Sequence, residues 1–210
     1  MKKLILIDDH KMLRKGISSY ITENSDWQIF AEAEGLEELP QIIKNANTSA
    51  TSGDKIVAVV DIQIKENADS SHNGFEAVKM LSASGIPSVI FSSYDSGLII
   101  ERAVGSEVGA KGFVSKLSDE KMLLDAVNTV ASGKTFIQPD LITSFMEAQS
   151  LFSMLTKRET QVVKLLQDGR TNEEIAEHLG IKLTTLENYI SVIYDKIGCR
   201  DRNSLLEKLR

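Results

Sequence analysis

The chain is short of three things: cysteine, long apolar runs and a surplus of positive charge. Its one cysteine, Cys199, cannot close an internal disulfide and has no partner for a zinc site, so it fits a reducing compartment and reads as a small packing residue. The longest uninterrupted apolar runs reach about five residues where a bilayer crossing needs roughly 20. The opening MKK leads into only four apolar residues, too few for a signal peptide. These absences predict a cytoplasmic protein with no membrane contact. A net charge of −6 argues against a protein that coats nucleic acid indiscriminately. That charge is uneven: residues 151–210 carry ten Lys/Arg against nine Asp/Glu, and residues 1–150 carry fourteen against twenty-one. The acidity belongs to the first part.

What is present is an ordinary globular composition, 42% hydrophobic and 26% charged over 210 residues, enough for one large domain or two small ones. Up to about residue 130 strand and helix signals alternate. Apolar runs at Leu4 to Asp8, Gln28 to Glu32, Ile56 to Asp61, Ser88 to Ser92 and Gly112 to Ser115 are separated by amphipathic stretches near residues 11–22, 36–45, 74–84, 97–107 and 119–132. Five βα units of this kind predict a five-stranded parallel, doubly wound sheet of flavodoxin-like type, with helices on both faces. The polar stretches Asn45 to Gly53 and Lys65 to Asn73 read as exposed loops. The expected boundaries are a first domain over 1–133, a linker over 134–150 where the pattern loosens, and a small all-α domain over 151–210. In the last part, Thr156 to Glu159 and Thr171 to Glu174 are capping boxes, with Gly169, Gly180 and Gly198 as helix stops. Leu186, Ile190, Ile193 and Ile197 form one apolar stripe.

Four of the apolar runs end in chemistry. Asp8 and Asp9 follow LILI, Asp61 follows IVAVV, Ser92 ends SVIFS and Lys116 follows GFVS. In open α/β sheets the ligand site lies beyond the carboxyl ends of the strands, so these five residues are expected to converge on one pocket. Three gathered carboxylates repel one another unless a hard cation holds them, which points to Mg²⁺. The reading assigns Asp8 and Asp9 to the metal, Asp61 to nucleophilic attack on a phosphoryl donor, and Ser92 and Lys116 to the phosphoryl oxygens. His10, although it follows the acidic pair, is given no role.

Through LIDDH, VVDIQI, VIFSSYD and GAKGFVSK, roughly residues 1–130 resemble the receiver domains of two-component response regulators. The resemblance implies that Asp61 accepts its phosphoryl group from a sensor histidine kinase and that Gln63 lends a backbone carbonyl to the metal. It also matches Phe113 to an aromatic switch position paired with Ser92, with plain core packing as the alternative. Two departures stand out. Lys65 occupies the usual proline position and the first glycine is Gly74, a loop about five residues longer than usual beside the nucleophile. The span from Ser92 to Lys116 is longer by about two residues, which predicts an enlarged fourth helix or following loop. A metal-dependent phosphatase or phosphotransferase is disfavoured, because such enzymes place an acid two residues after the nucleophile and here Asp61 is followed by Ile62 and Gln63.

The segment from Leu155 to Arg202 resembles the helix-turn-helix domain of the NarL and LuxR group. The resemblance implies that a helix from about Thr171 to Leu179 braces one from about Thr184 to Ile197, which enters the major groove of double-stranded DNA. Lys182, Thr184, Thr185, Glu187, Asn188, Ser191, Lys196, Arg200 and Arg202 are the candidate DNA-contacting residues. Glu187 and Ser191 stand where relatives are often basic. Two accounts of Glu187 are open: a capping box with Thr184, or a hydrogen bond accepted from a cytosine amino group. The expected protein is a phosphorylation-controlled transcription regulator rather than an enzyme, working as a phosphorylation-dependent homodimer. Leu205, Leu206 and Leu209 serve either as a dimer contact or to close the bundle. The alternative is a phosphoaccepting interaction protein whose second domain binds DNA weakly or without specificity.

Overall fold

The computed structural model describes residues 1–49, 51, 53–64 and 73–208. Two compact units are present, one of residues 1–95 and 99–142, the other of residues 96–98 and 143–210. No helix of the described residues is long and apolar enough to cross a membrane.

In the first unit strands and helices alternate: β1 (Lys2–Ile7), α1 (Lys11–Asn24), β2 (Trp27–Ala33), α2 (Leu39–Ser49), β3 (Lys55–Val60), α3 (Asn73–Ala83), β4 (Ser88–Ser92), α4 (Gly97–Val104), β5 (Gly112–Ser115), α5 (Glu120–Ala131) and β6 (Phe136–Ile137). All pairings are parallel and the order is β2-β1-β3-β4-β5-β6. The short apolar runs become strands because both faces of a parallel sheet are covered, so no alternation with polar residues is needed. Leu4 to Ile7 and Val57 to Val60 are accordingly almost wholly buried. On one face α5 lays Leu123, Leu124, Val127 and Val130 against the sheet, at about 1.5 to 3 kcal/mol for each fully buried aliphatic side chain. Asp119 caps the start of α5 by accepting the Met122 N–H. Trp27, the one tryptophan, is buried with its indole N–H donating to Asn128 Oδ1 at 2.9 Å, so its polar end is satisfied.

Three expectations need correction. The sheet has six strands, not five: β6 is two residues long, too short for any periodic signal, yet it continues the sheet through Gly112↔Phe136 and Phe113↔Ile137. The polar stretch from Asn45 is not all loop, since α2 runs to Ser49, with Ala46 inside its buried stripe. The added length between Ser92 and Lys116, expected in an enlarged fourth helix or the loop after it, falls in the loop, so only the helix placement fails. α4 is only eight residues, and the chain turns after it at Gly105, whose N–H donates to Glu101 O. The long loop predicted from Lys65 lies outside the described residues up to residue 72, and Asn73 is already the first residue of α3.

The stretch 134–150 contains β6, a 3-10 turn at Pro139–Leu141 and most of α6 (Ile142–Ser153). The second unit continues with α7 (Lys157–Gln167), α8 (Asn172–Leu179), α9 (Leu183–Ile197) and α10 (Arg202–Lys208). Both predicted capping boxes form: Thr156 with Glu159 and Thr171 with Glu174 exchange side-chain and backbone hydrogen bonds in both directions. Gly180 and Gly198 end α8 and α9 with φ of +63° and +69°, a left-handed conformation that glycine adopts without strain. Leu186, Ile190, Ile193 and Ile197 are buried together with Val162, Val163, Leu166, Ile175 and Leu205, so Leu205 closes this core; Leu209 lies outside the described residues.

Candidate functional site

Sheet register builds the first site. Ile7 pairs with Val60, so the next residues, Asp8 and Asp61, leave adjacent strands side by side. This is where the strand order reverses, β1 having β2 on one side and β3 on the other, and it is there that open α/β sheets bind ligands. Ser92 pairs with Ser115, which brings Lys116 beside the end of β4, and the Lys116 N–H donates to Ser92 O at 2.9 Å. The Lys116 ammonium reaches back across two strands. It donates to Asp61 Oδ2 at 2.6 Å and to Asp8 Oδ2 at 2.7 Å, with all three side chains largely buried.

Burial pushes the Asp61 carboxyl above its ordinary value, and the Asp8 carboxylate adds to the rise; hydrogen bonds from Lys116 and the Gln63 N–H oppose it without cancelling it. Burial likewise works against the charge of Lys116, but its hydrogen bonds to Asp61 and Asp8 outweigh that and raise its pKa. A charged lysine is thus fixed on Asp61, whose carboxylate is held at some energetic cost.

Asp8, Asp9, His10 and Asp61 bring potential ligand atoms within 4.8 Å of one another. Asp9 Oδ1 is buried and has no hydrogen-bond partner among the described residues, although His10 Nδ1 lies 2.7 Å away at ion-pair distance. An orphaned carboxylate oxygen beside two more carboxylates is a donor set suited to a hard divalent cation. The sequence reading missed His10, and its place directly after the acidic pair was the available signal.

The other candidates lie around this centre. Ser92 is fully buried and its Oγ accepts the Tyr94 N–H at 3.1 Å. Phe113 is fully buried on β5 opposite Ile90. Gln63 is exposed and its side chain donates to the Tyr94 hydroxyl at 3.0 Å.

In the second unit α9 carries two opposed faces. Leu186, Ile190, Ile193 and Ile197 point into the core, whereas Thr184, Thr185, Glu187, Asn188 and Ser191 are exposed, with Lys182 at the N-cap and Arg200 beyond the end exposed as well. The capping box for Glu187 does not form. The helix starts one residue earlier than the sequence suggested, Lys182 O accepting from Thr185 and Leu186, so the residue placed to reach back is Thr185 and Glu187 lies half a turn too far along. Two other candidates are drawn inward. Lys196 Nζ donates to Glu159 Oε2 at 2.7 Å, and the Arg202 guanidinium donates to Leu166 O at 2.8 Å, covering a carbonyl at the end of α7.

Comparison with known proteins covers both units. Residues 153–208 match bacterial regulatory proteins of the luxR family. The chain is 29% identical to the transcriptional regulatory protein UhpA of Salmonella typhimurium (strain LT2), over 100% of this chain and 98% of that protein. It is 27% identical to the transcriptional regulatory protein YdfI of Bacillus subtilis (strain 168), over 96% and 92%. The fold is shared with RcsB from Salmonella enterica serovar Typhimurium, solved bound to promoter rprA in the presence of phosphomimetic BeF3⁻, at a TM-score of 0.62 and 19% identity over 99% of this chain and 97% of that one. An α/β sheet bearing an acid-lysine centre thus precedes a helical domain of luxR type, and over its length the chain is similar to transcriptional regulatory proteins.

Proposed function

We propose that this protein is a cytoplasmic, phosphorylation-controlled transcription regulator in which Asp61 accepts a phosphoryl group from a sensor histidine kinase and α9 reads double-stranded DNA. The supporting observation is the Lys116 ammonium bound at once to Asp8 and Asp61, in the same chain as a luxR-type domain.

An Asp61 oxygen attacks phosphorus as the P–N bond of a phosphohistidine breaks, and the leaving imidazole keeps the bonding pair and takes up a proton, leaving an aspartyl phosphate. Asp8, Asp9, Asp61 and the Gln63 carbonyl would hold Mg²⁺, which would supply neutralisation of the phosphoryl oxygens. Lys116, already beside Asp61, transfers one hydrogen bond to a phosphoryl oxygen. The Ser92 hydroxyl accepts from Tyr94 N–H and so keeps its own proton for another oxygen. Phe113, on the strand beside Ser92, is the side chain that would repack when Ser92 moves. In the second domain Thr184, Thr185, Glu187, Asn188 and Ser191 present the base-reading face, with Lys182 and Arg200 for phosphates; Asn188 suits adenine and Glu187 a cytosine amino group. Phosphorylation joins two chains into a homodimer that reads two half-sites.

Incubation with acetyl phosphate and Mg²⁺ followed by intact-mass measurement tests the first half. The expected result is one phosphate-sized increment, absent in Asp61→Asn; an unmodified wild-type protein overturns the assignment. The inward commitment of Lys196 and Arg202, with a carboxylate at Glu187, favours a second reading: a phosphoaccepting interaction protein with weak or unspecific DNA binding. Selection of bound sequences from a random duplex pool separates the two, since enrichment of a repeated half-site excludes the second.

A further inference from the structure

α1 buries three residues on its inner face, Ile17, Ile21 and, one turn earlier, Arg14. An arginine 5% exposed needs partners for its whole guanidinium, and it finds three of them on two segments. Nη1 donates to the main-chain carbonyl of Asp8, Nε to Glu32 Oε2 at 3.2 Å and Nη2 to Glu34 Oε1 at 2.7 Å. The end of β1, the first turn of α1 and the end of β2 are tied together by one planar group.

The atom it holds on β1 matters most. Asp8 is fixed at its other polar atoms as well: its N–H donates to Ala33 O at 3.1 Å, Oδ1 accepts the His10 N–H at 2.7 Å and Oδ2 accepts from Lys116 at 2.7 Å. Asp9 is different. Its buried Oδ1 has no hydrogen-bond partner among the described residues and only the exposed His10 ring near it, Nδ1 at 2.7 Å, so the buried constraint on its direction comes from the peptide that joins it to Asp8. The carbonyl of that peptide is the one Arg14 grips, and peptide planarity passes the constraint on to the Asp9 nitrogen.

We infer that Arg14 is a positioning residue for the divalent-cation pocket, acting through the Asp8 to Asp9 peptide to aim the Asp9 carboxylate at the ion. The inference rests on the pocket reading given above. Arg14 does not act as a local charge: its cation is matched by Glu32 and Glu34, and a bare positive charge there would repel a metal ion. Only a cavity of about 10 Å³ adjoins Arg14, Asp8 and Asp61, so the surroundings give the guanidinium little room to be replaced by another arrangement. A lysine keeps the charge but cannot make three divergent, coplanar hydrogen bonds.

The sign of the effect separates positioning from electrostatics. Mn²⁺ binding to the full-length protein, read by electron paramagnetic resonance of the free ion, is expected to weaken about tenfold in both Arg14→Lys and Arg14→Met, the range seen when an outer partner of a metal ligand is lost. In metal-free Arg14→Lys, the amide resonances of Asp9 and His10 are expected to shift while those of α3 and α5 stay in place, which also shows that the first unit of the variant is folded. Arg14→Lys binding Mn²⁺ like wild type, or Arg14→Met binding it more tightly, overturns the inference while leaving the pocket intact. A wild-type protein that binds no Mn²⁺ overturns the pocket itself, and Arg14 falls with it.

Discussion

The function proposed for Asp61 opposes stability. Its carboxylate is desolvated at the end of β3 and faces Asp8, and the hydrogen bonds from Lys116 and the Gln63 N–H do not fully compensate. Replacing it by Asn removes the unfavourable charge, leaves Lys116 paired with Asp8 and keeps the shape. Asp61→Asn is therefore expected to stabilise the metal-free first domain by about 1 kcal/mol, or roughly 2–4 °C in its calorimetric midpoint, the usual sign of a trade between stability and activity. A lower midpoint would mean that the Lys116 bridge outweighs desolvation. The residues of this centre were legible because each ends an apolar run, and parallel register then leaves no freedom in where they meet. Arg14 and His10 were not, for opposite reasons. The charge of Arg14 hides it on an otherwise apolar helix face, since nothing local shows that an arginine is buried until Glu32 and Glu34 are seen around it. His10 is exposed, and only the turn that directs its ring back toward Asp9 reveals the contact.

At the scale of elements, α3 must approach the backbone of Asp61. A Cβ on Gly74 would lie 2.0 Å from Asp61 O and 2.6 Å from Ile62 Cα, and the Gly74 N–H donates to Ile62 O at 2.9 Å. Both obstacles are main chain and cannot swing away. Gly74→Ala is expected to cost about 3 kcal/mol in denaturant unfolding and to slow modification of Asp61, because relief requires either α3 or the end of β3 to move. In the second domain the start of α7 is tied to α9. Lys196 holds the Glu159 carboxyl below its ordinary value, with further help from the Thr156 N–H. A depressed carboxyl lends stability above its unfolded-state value of 4.5, and that contribution is lost as pH falls from there toward the lower folded value. Helical signal from the isolated luxR-type domain should therefore melt earlier on acidification below that value, and Glu159→Gln should be less stable at neutral pH with a shallower acid dependence. Equal pH slopes would sever this link. Element type was readable wherever periodicity or capping chemistry was strong, as in both capping boxes. It failed at β6, whose two residues hold no period, and at the start of α9, where Lys182 offers no side-chain cap and the helix simply begins with the first available carbonyl.

For the whole molecule, charge sets a constraint on how a signal can reach DNA. Residues 1–150 hold fourteen basic and twenty-one acidic residues, and phosphorylation adds roughly −1.5 to −2 more to the same acidic part. Long-range electrostatics alone would then weaken attachment to a polyanion. On the proposed dimer reading, tighter binding after phosphorylation comes from assembly, with two luxR-type domains on one duplex, and a full switch from 1:99 to 99:1 asks for about 5.5 kcal/mol of differential stabilisation. Counterion release supplies a measure that distinguishes assembly from the unmasking of a single domain, because the slope of log affinity against log salt counts phosphates neutralised. Fluorescence anisotropy of a labelled duplex across salt concentrations is expected to give a slope about twice as steep for the phosphorylated protein, with Asp61→Asn keeping the shallow one. Within either state Lys182→Ala should reduce the slope by about 1 per bound domain, whereas Lys196→Ala should leave it unchanged, since that ammonium is held by Glu159. Higher affinity at an unchanged slope would locate the switch within one chain and remove dimerisation from the account.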